Sequence, residues 1–170
     1  MIQKSRKRYT HPCPCGYLGD GLHSCTCTPV MIQRYRRRLS GPLLDRIDLH
    51  IEVPRISHKE LSDTEEAEGS SAIRSRVERA RQIQRERFAG SKTLCNAAMK
   101  PRQMRKFCAL DETGQQLMEM DTDRLGFSAR TYTRLLKVAR TIADLDGEEN
   151  IRQEHLAEAI QYRSLDRKSR

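Results

Sequence analysis

The chain has 170 residues, 32% of them charged and 36% hydrophobic, with no Trp and three Phe. That balance supports one folded domain with a lean aliphatic core, and no apolar run approaches the roughly 20 residues that a bilayer span needs. The basic first residues lack the apolar middle of a secretory signal, so the expected compartment is the cytoplasm, with no membrane partner.

The net charge of +9 is unevenly spread: residues 1–40 hold eight Lys/Arg against one acid, and residues 41–170 hold 24 against 22. The clusters Lys4, Arg6, Lys7, Arg8 and Arg34, Arg36, Arg37, Arg38 suit a polyanion such as nucleic acid, or equally a solvated surface.

Residues 1–11 read as a polar lead-in, and residues 12–28 as a loop rich in Cys, Gly and Pro. Thr28-Pro29 opens a short helix to about Arg38, with Pro at the first position, where its missing N–H costs no hydrogen bond. Gly41-Pro42 stops that helix and begins a brief turn from Leu43 to Arg46. The stretch Ile47-Asp48-Leu49-His50-Ile51-Glu52-Val53 alternates apolar and polar, the period of a half-buried strand, and Pro54 ends it. Residues 57–69, with Glu65, Glu66 and Glu68, predict a linker.

From Ser70 onward the pattern is helical. One helix runs to about Phe88, with Ile73, Val77 and Ala80 as its inward stripe. A short helix follows from Pro101 to about Leu110, then one from about Glu112 to Arg124, before Gly126. Ser128 caps a helix that runs to Leu145 and stops at Gly147, with Leu135, Val138, Ala139, Ile142 and Leu145 on one face. A last helix carries Leu156, Ala159, Ile160 and Tyr162. Short loops between amphipathic helices predict a compact bundle of about four or five helices.

Cys13-Pro14-Cys15 and Cys25-Thr26-Cys27 are two Cys-x-Cys pairs with Gly16, Gly19 and Gly21 between them. Four thiolates on two tight turns can close a tetrahedral zinc site without any other ligand. The spacing within each pair is tighter than the usual knuckle, so a redox disulfide or four unligated thiols stay open as readings. His11 and His23 are possible substitute ligands, whereas Cys95 and Cys108 read as small core residues.

Arg46 and Arg130 each stand where an apolar run meets polar chain, a position from which a guanidinium can reach a nucleotide. The plainer account pairs Arg46 with Asp45 or Asp48 and leaves Arg130 on the surface beside Arg134. Lys137 and Arg140 read as partners of nearby acids. These 170 residues contain no Gly-x-x-x-x-Gly-Lys-[Ser/Thr] phosphate loop, and Gly90-Ser91-Lys92-Thr93 lacks that motif's first glycine.

Taken in order, these motifs resemble a known family. They are Pro12-Cys13-Pro14-Cys15-Gly16-Tyr17-Leu18-Gly19-Asp20 with Cys25-Thr26-Cys27, Ser40-Gly41-Pro42-Leu43-Leu44-Asp45-Arg46-Ile47-Asp48, Ser128-Ala129-Arg130, and Leu135 through Leu145. The chain is similar to the bacterial Mg-chelatase-like AAA+ ATPases of the competence-related (ComM/YifB) group over about residues 12–165. The resemblance implies a mainly α chain: the C-terminal end of an AAA+ α/β core (one short strand and the Cys-rich loop), then an α-helical lid bundle. It divides the chain into the core end at 1–56, a linker at 57–69, the lid at 70–165 and a tail at 166–170.

The resemblance further implies that Arg46 is an arginine finger reaching a neighbouring subunit's nucleotide. Arg130 becomes a second sensor, contacting the γ-phosphate within its own subunit. The whole protein would be a hexameric ring using ATP and Mg2+ to remodel a substrate such as DNA. One position departs from the family, which has Asn directly before Pro-Cys-Pro-Cys, at the end of the γ-phosphate-sensing strand, where this chain has His11. Two rival readings are a small zinc-containing nucleic-acid-binding module and a magnesium-chelatase ATPase subunit; the Cys loop favours the competence-like branch over the latter.

Overall fold

A computed structural model describes residues 11–38, 46–51, 53, 56 and 68–163. The expected lead-in at 1–10, the turn from Leu43 to Asp45, most of the linker and the 166–170 tail lie outside the described residues. The described architecture is six α-helices with a short 3₁₀ turn at Asn96–Ala98: α1 Pro29–Arg36, α2 Ser70–Arg87, α3 Pro101–Phe107, α4 Glu112–Leu125, α5 Ala129–Asp146 and α6 Gln153–Gln161.

Side chains and glycines set the ends of these helices. Thr28 caps α1 by accepting from the Met31 N–H at 3.3 Å, and Asp111 caps α4 by accepting from the Gly114 N–H at 2.7 Å. Ser128 caps α5, accepting from the Thr131 N–H at 3.1 Å. Past the end of α5, Gly147 turns left-handed at φ 76°, and the Glu148 N–H reaches back to the Ala143 carbonyl at 2.8 Å. That is the Schellman geometry, which only glycine enters without steric penalty.

The core lies around α5, which packs on α6, on α2 and on the 3₁₀ turn, while α4 packs on α6. Leu135, Leu136, Ala139 and Ile142 of α5 share one cluster with Leu156, Ala159 and Ile160 of α6, and Phe88, Met99, Met104, Cys108, Met118 and Ile151 complete it. Each fully buried aliphatic or aromatic side chain there contributes about 1.5–3 kcal/mol of transfer free energy. The expected face of α5 is present, with Val138 and Leu145 half-buried at its margins. α4 comes so close to α6 that a Cβ on Gly114 would stand 3.1 Å from the Leu156 side chain.

Two expectations are corrected. Of the stripe predicted on α2, only Ala80 is buried; Ile73 and Val77 are 42% and 44% exposed. Residues 70–79 are exposed throughout, so α2 joins the bundle only from Ala80 onward. The predicted strand is also not seen: among the described residues of 47–53 there is no strand, and Leu49, Ile51 and Val53 are exposed. A strand needs a neighbour to take its ladder of hydrogen bonds, and no described segment supplies one. Instead, the His50 N–H donates to the Tyr162 carbonyl at 2.7 Å, laying this segment against the end of α6.

Polar side chains fasten α2 to α5. Asp144, fully buried, accepts from Arg87 at 2.8 and 2.5 Å, from Asn96 at 2.7 Å and from Arg140 Nε at 3.1 Å. Arg140 thus meets its expected acid and also donates to the Glu148 and Glu149 carbonyls. Lys137 donates to the Ala97 carbonyl at 2.9 Å rather than to an acid. Cys108 is buried as expected, whereas Cys95 is half-exposed.

Candidate functional site: a four-thiol cluster and two exposed arginines

Two tight turns bring the cysteines together. The Gly16 N–H donates to the Cys13 carbonyl at 3.1 Å, and Gly16 and Gly19 take left-handed φ values of 86° and 83° that a side chain would resist. Asp20 accepts from the Leu22 N–H at 2.8 Å, and the Tyr17 ring stacks on His23 with centroids 4.9 Å apart, folding the loop back on itself. Cys13 is fully buried.

The Sγ atoms of Cys13, Cys15, Cys25 and Cys27 all lie within 4.8 Å of one another. Cys13–Cys15, Cys15–Cys25 and Cys13–Cys25 are separated by 3.4, 3.6 and 3.7 Å. Four sulfurs bound to zinc at about 2.3 Å in a tetrahedron stand about 3.8 Å apart, so the residues fit that metal. All four cysteines are free thiols, so the disulfide alternative is not formed. His11 and His23, the possible substitutes, are not among the groups that converge there.

The thiols do not ionise alike. Cys15 is lowered to about 5, chiefly by the backbone N–H of Tyr17 and further by that of Thr26 and by the Cys13 and Cys27 thiols, against its desolvation. For Cys25 and Cys27 the backbone N–H groups of Cys27 and Cys15 pull downward. Desolvation and the neighbouring thiols outweigh them, raising Cys25 and pushing Cys27 up to about 12. Ionisation is thus favoured at Cys15, where backbone N–H groups point, and opposed at Cys25 and Cys27, where desolvation and repulsion from the neighbouring sulfurs win. A divalent cation would remove this repulsion, which is the electrostatic form of a site suited to a metal.

Arg46 and Arg130 are both exposed. Among the described residues neither guanidinium has a hydrogen-bond or ion-pair partner. The pairing of Arg46 with Asp48 does not occur, because Asp48 is held by Arg134; Asp45 lies outside the described residues. Arg130 sits in the first turn of α5, as its distance from the Ser128 cap predicts. Arg134, one turn further along, donates to the Arg46 carbonyl at 2.9 Å as well as to Asp48. Arg163, buried at the end of α6, donates to the Ile47 carbonyl. Sequence reasoning missed both of these arginines. The one available signal was that Arg134 shares a helix face with Arg130 at i, i+4.

The sequence matches the family profile described as "Magnesium chelatase, subunit ChlI C-terminal" over residues 67–163. The chain belongs to the magnesium chelatase ChlI family. A second profile, "Magnesium chelatase, subunit ChlI", matches residues 8–61. This ChlI-family chain is 44% identical over 156 residues to "Competence protein ComM" of Haemophilus influenzae, covering 91% of this chain and 30% of that protein. It is 41% identical over 158 residues to "Uncharacterized protein YifB" of Escherichia coli, covering 92% and 30%. It is also 30% identical over 153 residues, 90% and 30%, to "Uncharacterized protein Rv2897c" of Mycobacterium tuberculosis. The chain therefore spans about 30% of the length of these curated relatives. Family membership makes it a portion of an AAA+ protein, and its mainly helical build agrees with a C-terminal lid. No described helix is long and apolar enough to cross a membrane.

Proposed function

We propose that this chain is the C-terminal portion of a hexameric AAA+ ring ATPase, divided into a core end at 1–56, a linker at 57–69 and a lid at 70–165. Arg46 is the finger that meets the nucleotide of a neighbouring subunit, and Arg130 reaches a γ-phosphate from the first turn of α5. ATP and Mg2+ are held by the rest of the protein. Cys13, Cys15, Cys25 and Cys27 hold one zinc, which when bound cross-links the two Cys-x-Cys pairs. Four protein ligands leave no open position on it, so its role is structural.

The observation that carries this reading is the state of Arg46. Its backbone is gripped while its guanidinium stays exposed and unpaired among the described residues. A cation with no ion-pair partner among the described residues can neutralise charge developing on a transferred phosphoryl group. In the whole ring, Arg46→Ala is expected to abolish hydrolysis while sparing ATP binding. Mixing it with subunits dead in the phosphate loop is expected to restore activity, because some interfaces then pair a sound site with a sound finger. Normal hydrolysis by Arg46→Ala would refute the assignment.

DNA is the proposed substrate. α1 buries no side chain and exposes Arg34, followed by exposed Arg37 and Arg38. Such a helix can bind phosphates without sequence preference, and binding that weakens steeply with salt would support it.

A further inference from the structure

We propose that Arg134 is a positioning residue for Arg46, linking the nucleotide-facing end of α5 to the finger. The proposal rests on reading Arg46 as the group that meets a neighbour's nucleotide. A finger works only if its guanidinium is well placed, since an error of about 1 Å can cost on the order of a hundredfold in rate. Yet the segment that carries Arg46 has no strand ladder to fix it among the described residues.

Contacts from the lid take the place of that ladder. The Tyr162 carbonyl takes the His50 N–H, Arg163 donates to the Ile47 carbonyl, and Arg134 donates to both the Arg46 carbonyl and Asp48. The first two come from the end of α6 and hold residues beyond the finger. Among the described residues Arg134 alone grips residue 46 itself, and it alone comes from α5. It lies four residues from Arg130 on an 18-residue helix closed at both ends by side-chain and glycine caps. Any shift of α5 that follows from engaging Arg130 is therefore passed through Arg134 to the backbone of Arg46.

The same geometry makes Arg134 of little weight for stability. Its side chain and that of Asp48 are 31% and 56% exposed. Partly exposed ion pairs of this sort contribute little to folding. Removing Arg134 should leave a folded lid whose finger is loosely aimed.

The test uses the full-length ring protein with Arg134→Ala, Arg134→Lys, Asp48→Asn and Arg46→Ala. Arg134→Ala is expected to lower kcat about tenfold or more, with KM for ATP within about threefold of the parent and Tm unchanged. Arg134→Lys, which keeps the charge but not the fork, should recover part of the rate, and Asp48→Asn should show an intermediate loss. Mixing Arg134→Ala with phosphate-loop-dead subunits should restore activity, as for Arg46→Ala. A parental kcat in Arg134→Ala beside a dead Arg46→Ala overturns the proposal and leaves the finger reading standing. So does a joint fall in Tm, kcat and ATP affinity that Lys does not relieve, which marks a scaffold role. A fully active Arg46→Ala removes the finger reading and this proposal with it.

Discussion

Arg87 and Asp144, 57 residues apart in the chain, meet in a two-pronged ion pair that joins α2 to α5. Asp144 is fully buried and also serves Arg140 and Asn96, so two cations depend on one carboxylate. Burial lowers the pKa of Arg140 while Asp144 raises it again. Removing the acid would leave the buried Arg140 and the largely buried Arg87 without their counter-charge. Asp144→Ala is therefore expected to destabilise the bundle by about 3–5 kcal/mol, the usual cost of orphaning a buried charge. Denaturant unfolding followed by circular dichroism measures this, and a loss under about 1 kcal/mol would mean that water or rearranged carbonyls replace the carboxylate.

The four thiols predict one zinc per chain. Cys25→Ser should release the metal and loosen residues 12–28, because a three-sulfur site loses both a ligand and its closed shell. The 70–162 bundle should stay folded, since its core cluster contains no residue of that loop. Metal analysis before and after the substitution, with proteolysis to report on the loop, checks both parts. Metal content unchanged by Cys25→Ser would exclude Cys25 as a ligand.

Much of this was legible in the sequence for local reasons. Ser128 and Gly147 bound α5 because caps act within one turn, and Pro29 and Pro101 open helices because a first-turn proline loses no hydrogen bond. The thiol cluster was legible because four cysteines in two close pairs fall between positions 13 and 27, with glycines between the pairs to let the loop fold back. What failed depended on distant chain. Periodicity marked the face of α2 that carries Ile73 and Val77, but not how far along the helix a partner extends. Alternation over 47–53 described a half-buried strand, but no pattern can say whether a neighbouring strand is present. The Asp144 network and the Arg134 grip join residues far apart in sequence, and charged residues in a helix look alike whether they face water or each other.

Cys108 offers a pH test that the cluster does not share. Burial pushes its thiol up to about 11 from 9.0, although Arg140, Arg87 and Lys137 draw it down; Asp144 adds to the rise. The folded state then holds its proton where the unfolded state has lost it. Stability from this group is full below pH 9 and is lost as pH rises through about 11. At pH 8 the native Cys108 should resist a thiol reagent that labels half-exposed Cys95 freely. Peptide mapping after brief alkylation decides it, and equal labelling would show that the core opens readily at that position.

The 170-residue chain by itself is expected to show no ATP turnover. These residues contain no phosphate loop, whose backbone amides and Lys hold the β- and γ-phosphates, so the roles proposed for Arg46 and Arg130 lack a bound nucleotide. A purified chain that hydrolyses ATP, free of contaminating ATPase, would contradict the proposed division of labour.

Arg130 yields the last prediction, which concerns whose nucleotide it serves. The resemblance places it on its own subunit's γ-phosphate, but the geometry sets it near Arg46, the residue proposed as the finger. Arg134, one helical turn away, holds the Arg46 carbonyl at 2.9 Å. With about 6 Å between residues four apart on a helix, Arg130 is no further from the Arg46 carbonyl than one helical turn plus one arginine side chain. Two arginines so placed are expected to serve one nucleotide, and if Arg46 serves the neighbour's, so does Arg130. Mixed rings separate the two cases. Arg130→Ala subunits combined with phosphate-loop-dead subunits should regain ATPase activity if Arg130 acts across the interface, since a sound site then faces two sound arginines. If it acts within its own subunit, no sound site exists in the mixture and activity stays lost. Restoration is the expected result; its failure, with Arg46→Ala restored in the same experiment, would return Arg130 to its own subunit's nucleotide.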